Sequence, residues 1–410
     1  MNPITAVVLG AGSRGSIYAG YAADHSDELQ IVAIADPRAD RLHPLADKVN
    51  VPEDKRFSTW EDLLARPKMA DAVFICTQDD DHAAPALKAL ELGYHVLLEK
   101  PMSNTEEECR AIEAAARKAG RTLAVCHVLR YTPFYMTLKA LIDAGEIGEV
   151  TTINQIENVG YWHQAHSFVR GNWRSSTESS PMILAKSCHD MDIILWLMGR
   201  DCLRIQSFGS LRHFTAENAP EGAPARCLDG CPHAETCPYY APKLYMDMKL
   251  TGWPVDIITT DLSEEGRRKA LEEGPYGRCA YRCDNDVVDR QVVNMEFEGG
   301  GVATFTMTGL SADFSRQLKI FGTKGQIEAD MGTKEIVLHR FGEQKKVIPL
   351  DMGGNTSGHG GGDYGIMRNF LAVLRDGGEI RTSAAISLQS HLMCFAAERS
   401  RIEHTVIELK

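Results

Sequence analysis

Apolar positions in this chain fall into two regimes. Up to His127 they form short continuous runs separated by helix-spaced patterns. Ile4 to Leu9, Leu29 to Ala35, Ala72 to Thr77, Tyr94 to Leu98 and Leu123 to His127 read as buried strands. His82 to Leu92 reads as a helix stopped at Gly93, and a second helix, capped by Ser103 or Asn104, runs to Lys118. Strands alternating with helices in this way predict a doubly wound parallel sheet, with ligands at the carboxyl ends of its strands.

After Gly148 the runs shorten and alternate. Val150 to Gly160, Arg204 to Phe214, Arg290 to Phe297, Val302 to Leu310, Gln317 to Phe321, Gln326 to Met331, Glu335 to Phe341 and Lys345 to Leu350 read as strands. Most are joined by short turns such as Gly299-Gly300-Gly301 and Thr323-Lys324-Gly325. Helices at Pro181 to Met198, Asp363 to Asp376 and Ala384 to Ser400 accompany them. The expectation is an α/β chain with a Rossmann domain over 1–130 and a C-terminal α/β domain over 131–410. That second domain has a large, mostly antiparallel sheet with one open face, interrupted by a cysteine-rich insertion at about 215–288.

Composition narrows the function classes. A formal net charge of −12 argues against non-specific binding to nucleic acid or to anionic membranes. No uncharged apolar stretch is long enough to span a bilayer, and the chain enters a strand within a few residues of Met1, without a signal-peptide pattern. A cytoplasmic location is expected, where the eleven cysteines are thiols or metal ligands more readily than disulfides.

The first strand runs directly into Gly10-x-Gly12-x-x-Gly15. Gly10 permits a tight turn, Gly12 lets backbone approach a pyrophosphate, and Gly15 lets the next helix pack on the strand. Asp36 ends the second strand, about twenty residues later, where a carboxylate accepts from ribose hydroxyls. This register favours a dinucleotide over a methyltransferase loop. Asp36 repels a 2′-phosphate and so favours NAD over NADP, although Arg38 and Arg41 follow closely.

Other residues carry candidate chemistry. Lys100 follows a strand end, where desolvation and a nicotinamide would suit it to proton transfer. Lys186, His189, Asp190 and Asp192 lie on an otherwise apolar helix, an unusual charge density unless that helix lines a site. Residues 160–174 are dense in aromatic, imidazole and guanidinium groups and read as a substrate segment or an interface loop. Gly358-His359-Gly360-Gly361-Gly362-Asp363 precedes a helix, with Asp363 its expected N-cap. Cys227, Cys231, Cys237, Cys279 and Cys283 bracket the insertion, and zinc or an iron–sulfur cluster, free thiols and disulfides all remain open for them.

These residues resemble the Gfo/Idh/MocA family, named for glucose–fructose oxidoreductase and inositol dehydrogenase. The resemblance rests on Gly10-x-Gly12-x-x-Gly15, Asp36, Glu99-Lys100-Pro101, Arg130-x-x-Pro133, His189-Asp190-x-Asp192 and the Phe321 to Gly325 turn. It implies NAD bound between the two domains, an open sheet that makes homodimers or homotetramers, and Lys100 and His189 as proton-transfer groups. Family dehydrogenases commonly carry an aspartate four residues before the histidine. That position here is Ala185, and Lys186 beside it is the expected third catalytic group. The expected cofactor contacts are Gly10, Gly12, Ser13, Arg14, Gly15, Asp36, Arg38, Thr77, His82, Glu99, Lys100 and Arg130. The expected substrate contacts are Tyr131, Trp162, His163, His166, Arg170, Trp173, Arg174, Lys186 and His359. No catalytic metal is expected. The implied activity is oxidation of a secondary hydroxyl of a sugar or sugar derivative, with Arg170, Arg174 and Lys186 suggesting an anionic group on it. The alternatives are NAD-dependent glycoside hydrolysis through transient C3 oxidation, and a non-catalytic NAD sensor.

Overall fold

The computed structural model describes residues 2–350 and 359–409. Gly358, at the head of the glycine-rich stretch, lies outside them. Six parallel strands form the N-terminal sheet: β1 (Ile4–Leu9), β2 (Leu29–Ala35), β3 (Arg56–Phe57), β4 (Ala72–Ile75), β5 (His95–Leu98) and β6 (Leu123–Val125). Their order is β3-β2-β1-β4-β5-β6, so the strand order reverses beside β1 and leaves a ligand crevice there. Both faces of this sheet are covered, which explains why β1 and β4 are continuous apolar runs.

Nine strands form the second sheet: β7 (Val150–Asn158), β8 (Cys202–Ser210), β9 (Arg290–Phe297), β10 (Val302–Thr308), β11 (Ser315–Gly322), β12 (Gly325–Asp330), β13 (Glu335–Arg340), β14 (Lys346–Ile348) and β15 (Ile407–Glu408). All neighbours are antiparallel except β7 and β10. One face packs on the helices Cys188–Met198 and Ala384–Glu403. The other face exposes Ile156, Phe208 and Val302. The two-residue β15 escapes sequence patterning because a strand so short has no period.

Three local expectations are corrected. Thr105, not Ser103 or Asn104, caps helix Glu106–Ala119, its hydroxyl accepting from Glu108 N–H at 3.3 Å. The Ser103 hydroxyl instead bonds the Glu108 carboxylate. Asp363 is not an N-cap: helix Gly362–Asp376 starts after Gly361, and Asp363 is drawn into an ion pair with Arg14. The expected helix Pro181 to Met198 is two helices, Met182–Ala185 and Cys188–Met198, broken at Lys186 and Ser187. Lys186 therefore lies at the break, and only His189, Asp190 and Asp192 lie on the second helix. The break follows from competing partners, since the Ala185 carbonyl accepts from Lys100 rather than from the next helical turn.

Candidate active site

The glycine turn divides its labour. A Cβ on Gly10 would lie 2.4 Å from the Cys76 oxygen, and one on Gly15 would lie 1.8 Å from the Gly10 oxygen. Those two glycines serve close backbone packing. A Cβ on Gly12 would meet only Arg41 Nη1, at 3.6 Å, so Gly12 borders open space. Helix Ser13–Asp24 has no side-chain cap, and its first internal bond is Ser16 N–H to Gly12 O at 2.9 Å. The amides of Ser13, Arg14 and Gly15 thus precede the helical ladder and are available to an anion. Asp36 accepts from Ala11 N–H (2.6 Å) and Arg38 N–H (2.8 Å), which fixes its carboxylate beside the turn with lone pairs left for hydroxyls. These residues fit a dinucleotide.

The Arg14 amide faces the turn, while its side chain is engaged in an ionic network. Its guanidinium joins Glu99 Oε1 and Asp363 Oδ1, each at 2.7 Å, and the Tyr18 hydroxyl. Burial would raise the Glu99 carboxyl, but Arg14 and Lys100 outweigh it and hold the group below its usual range. Asp363 is likewise held down by Arg14 and His359 against its burial. Through this network the glycine turn is tied to the end of β5 and to helix Gly362–Asp376.

Lys100 leaves β5 and donates to Ala185 O at 2.7 Å, with its ammonium 5.8 Å from the Trp173 ring centre. His189 stands in the first turn after the helix break, 4% exposed, with Nδ1 buried and unpartnered among the described residues. Burial pushes its pKa well below the usual imidazole value, and the Lys100, His127 and His359 charges push the same way. The ring is 5.9 Å from His359, which faces Asp363 at 3.2 Å. Lys100, His189 and His359 are therefore brought together.

Beside them lies a buried ionic cluster in which Lys186 and Asp190 were expected from sequence and Glu157 and Arg316 were not. Arg316 on β11 stands directly opposite Glu157 on β7. It reaches Glu157 at 2.6 Å and Asp190 at 2.8 Å, while Lys186 Nζ lies 3.4 Å from Glu157. Burial raises Glu157 to about 7 and Asp190 adds to this, against Arg316 and Lys186. Burial lowers Lys186, against Glu157. Lys186 also sits 5.1 Å over the Phe314 ring. The available signal was phase: Gln155 and Glu157 share the inward register of Ile153, and Arg316 that of Leu318 and Ile320.

Several expected contacts turn elsewhere. Both nitrogens of His82 face backbone oxygens, of Pro101 at 2.6 Å and Thr77 at 3.3 Å, and Thr77 bonds Asp81 O at 2.7 Å. Arg130 grips Asp192 with two bonds of 2.7 Å. The Tyr131 hydroxyl is taken by Asn369 and Thr382. Arg38 pairs with Asp40 at 2.6 Å.

Residues 160–174 split into two sides. Trp162 and His163 pack with Phe314, and Trp173 donates to Asp79 at 3.1 Å, beside Lys100. His166 bonds the Tyr245 hydroxyl at 2.7 Å. Arg170 donates to Arg278 O and Tyr239 O at 2.8 and 2.7 Å, and Arg174 pairs with Asp284 and Glu178. His166, Arg170 and Arg174 anchor the insertion and do not supply an anion site. The five insertion cysteines are free thiols. Four of them, Cys227, Cys231, Cys237 and Cys279, line one small cavity, and no three His, Cys, Asp or Glu among the described residues are arranged to hold a metal ion. No helix among those residues is long and apolar enough to cross a membrane.

Residues 4–127 match the profile of an oxidoreductase family with an NAD-binding Rossmann fold, and residues 139–409 match its C-terminal α/β domain. The chain belongs to the Gfo/Idh/MocA family. Its N-terminal domain is accordingly an NAD-binding Rossmann domain. The Bacillus subtilis protein YteT is 27% identical over 318 residues, 74% of this chain and 72% of its own. The inositol 2-dehydrogenase of Salmonella typhimurium is 28% identical over 48% of this chain and 55% of that protein. The D-glucoside 3-dehydrogenase of Escherichia coli is 31% identical over 39% and 45%. The chain thus aligns with only about half the length of those two Gfo/Idh/MocA dehydrogenases. Among solved structures, the WlbA dehydrogenase of Bordetella pertussis, crystallised with NADH and UDP-GlcNAcA, superposes with a TM-score of 0.70 at 19% identity, covering 100% of this chain and 98% of its own. A Kribbella flavida oxidoreductase domain protein gives 0.75 at 19% identity, with all of both chains covered. At such identities these two share the Gfo/Idh/MocA fold.

Proposed function

We propose that this protein is an NAD-dependent oxidoreductase acting on a secondary hydroxyl of a sugar or cyclic polyol. The observation that carries this reading is the 2.7 Å bond from Lys100 Nζ to the Ala185 carbonyl, which fixes the ammonium next to the helix turn bearing neutral His189. His189 takes the hydroxyl proton, for which an uncharged imidazole is the competent form. Lys100 donates to the same oxygen and stabilises the developing alkoxide in a water-poor cleft. Bound NAD would accept the hydride released from that carbon. Trp162, His163 and Trp173 give the sugar ring apolar faces to lie on.

NAD is preferred over NADP because Asp36 is fixed at the ribose position while Arg38 is neutralised by Asp40. An acidic substrate group loses its support, since Arg170 and Arg174 are engaged by the insertion and Lys186 by Glu157. The Ile156, Phe208 and Val302 face suits pairing with a second copy of the chain. The test is a panel of inositols, aldoses and glycosides assayed for NADH absorbance. Substrate-dependent NADH formation, lost in Lys100→Ala, supports the reading. Silence across the panel from protein that binds NAD overturns it.

One observation favours a second reading. Glu157, raised to about 7, gives the site an acid/base group that simple oxidation does not require. Glycoside cleavage by C3 oxidation, elimination, water addition and reduction back to the alcohol does require one. Release of aglycone without net NADH would select this reading.

A further inference from the structure

The insertion does more than extend the second sheet. It leaves after β8, returns at β9, and on the way crosses to the Rossmann domain. Thr260 Oγ1 donates to Asp40 Oδ2 at 3.2 Å, and Arg41 Nη2 donates to Ile257 O at 3.4 Å. A few residues earlier, Trp253 packs on Trp162 and His163, with ring centres 5.2 and 5.0 Å apart. Residues 253–260 therefore bridge the aromatic wall of the substrate cleft and the start of helix Ala39–Lys48, at the adenosine end of the crevice.

Arg41 is the joint of this bridge. Its Nη1 lies 3.6 Å from the point above Gly12 where a Cβ would be built, the one open face of the glycine turn. Its Nε is buried and has no partner among the described residues. A guanidinium has five N–H donors, and the 3.4 Å bond to Ile257 O is the one hydrogen bond found for this one among the described residues. The Arg41 charge acts on the Tyr276 hydroxyl and on the Asp256 carboxyl, in both cases against the burial that raises them, and no ion pair of Arg41 comparable to Arg38–Asp40 is found among the described residues.

We infer that Arg41 is a pyrophosphate-binding residue, held over Gly12 by residues 253–260 of the insertion, and that this segment forms the outer wall of the dinucleotide site. The inference rests on NAD occupying the glycine turn, as proposed above. With the anion at the Ser13, Arg14 and Gly15 amides, the unpartnered Arg41 donors close on its outer side. The insertion then governs how fast the dinucleotide leaves.

The test uses the full-length protein and NADH. Equilibrium fluorescence titration gives Kd, and displacement by excess NAD gives the dissociation rate. Arg41→Ala is expected to weaken NADH by about tenfold or more, as loss of a charge-assisted bond does. Thr260→Val keeps the side-chain shape but frees the wall from Asp40, and is expected to speed dissociation several-fold. Hydrogen–deuterium exchange on the unaltered protein requires no variant to fold: NADH is expected to slow exchange at residues 253–260. Unchanged Kd, unchanged dissociation and unchanged exchange overturn the inference while leaving the oxidoreductase reading intact. Tighter wild-type binding of NADPH than NADH, erased by Arg41→Ala, would reassign Arg41 to a 2′-phosphate and also overturns it. Wild-type protein that binds no dinucleotide removes both.

Discussion

Glu157 and Lys186 form a buried ion pair, 3.4 Å apart, across the gap left where two helices meet. The carboxylate of this pair comes from a sheet strand, β7, and its ammonium from the helix break. Ala185 contributes only its carbonyl, and that carbonyl holds Lys100. The titratable groups gathered here are thus distributed over β7, the helix break and the end of β5.

Stability should record this pair. Burial raises Glu157 from 4.5 to about 7, so the folded state binds a proton that the unfolded chain has already released. The contribution is present below pH 4.5 and lost as pH rises through about 7. Glu157→Gln cannot titrate. Its Tm minus that of the wild type is expected to increase between pH 4.5 and 7. A pH-independent difference, measured by differential scanning fluorimetry, would contradict burial outweighing the Arg316 and Lys186 charges at this carboxyl.

Catalysis should separate Lys100 and His189 from binding. Lys100→Ala and His189→Ala are each expected to reduce kcat by roughly 10²–10⁴-fold, as removal of a general acid or base does, with NADH affinity nearly unchanged. Because burial and Lys100 keep His189 neutral, the acid limb of kcat/KM should lie below pH 6.5. A limb centred at or above 6.5 would mean that another group titrates.

The Rossmann half of this molecule was legible because its strands are buried on both faces and read as unbroken apolar runs between glycines. Asp36 and Lys100 were legible because strand ends in such a sheet have a known address. Glu157 was not, because β7 carries polar residues in both phases: Gln155 and Glu157 inward, Asn154 outward, with Ile156 exposed. The register shared with Ile153 was the one local clue, and the ladder partner that completes it, Arg316, is too distant for any local pattern to reveal. The same limit explains His166 and Arg170. Their aromatic and cationic density was visible, but their partners Tyr245 and Arg278 lie inside an insertion whose path no periodicity encodes.

Arg14 should behave as a strut. Removing it leaves Glu99 and Asp363 buried without their cation, and Arg14→Ala is expected to lose about 3 kcal/mol in chemical denaturation. Asp363 is held below its usual 3.8, so the stability it contributes is present above that pH and lost as pH falls below it. The Tm gap between wild type and Asp363→Asn should therefore close on acidification below pH 3.8. A gap that persists at low pH would show that the carboxylate charge is not what holds the network.

The glycine turn offers the sharpest separation of folding from binding. At Gly15 an added methyl would fall 1.8 Å from the Gly10 oxygen, a backbone atom that cannot move aside, so Gly15→Ala should lower Tm sharply. At Gly12 the nearest atom is the flexible end of Arg41, 3.6 Å away, so Gly12→Ala should fold with nearly the wild-type Tm. The methyl would, however, occupy the approach to the helix amides that a pyrophosphate needs. NADH affinity in Gly12→Ala is expected to fall by about tenfold or more, close to 1.4 kcal/mol. Calorimetric titration beside a thermal melt distinguishes the two variants. Equal loss of Tm in both would mean that the space above Gly12 serves packing and that the dinucleotide phosphates lie elsewhere.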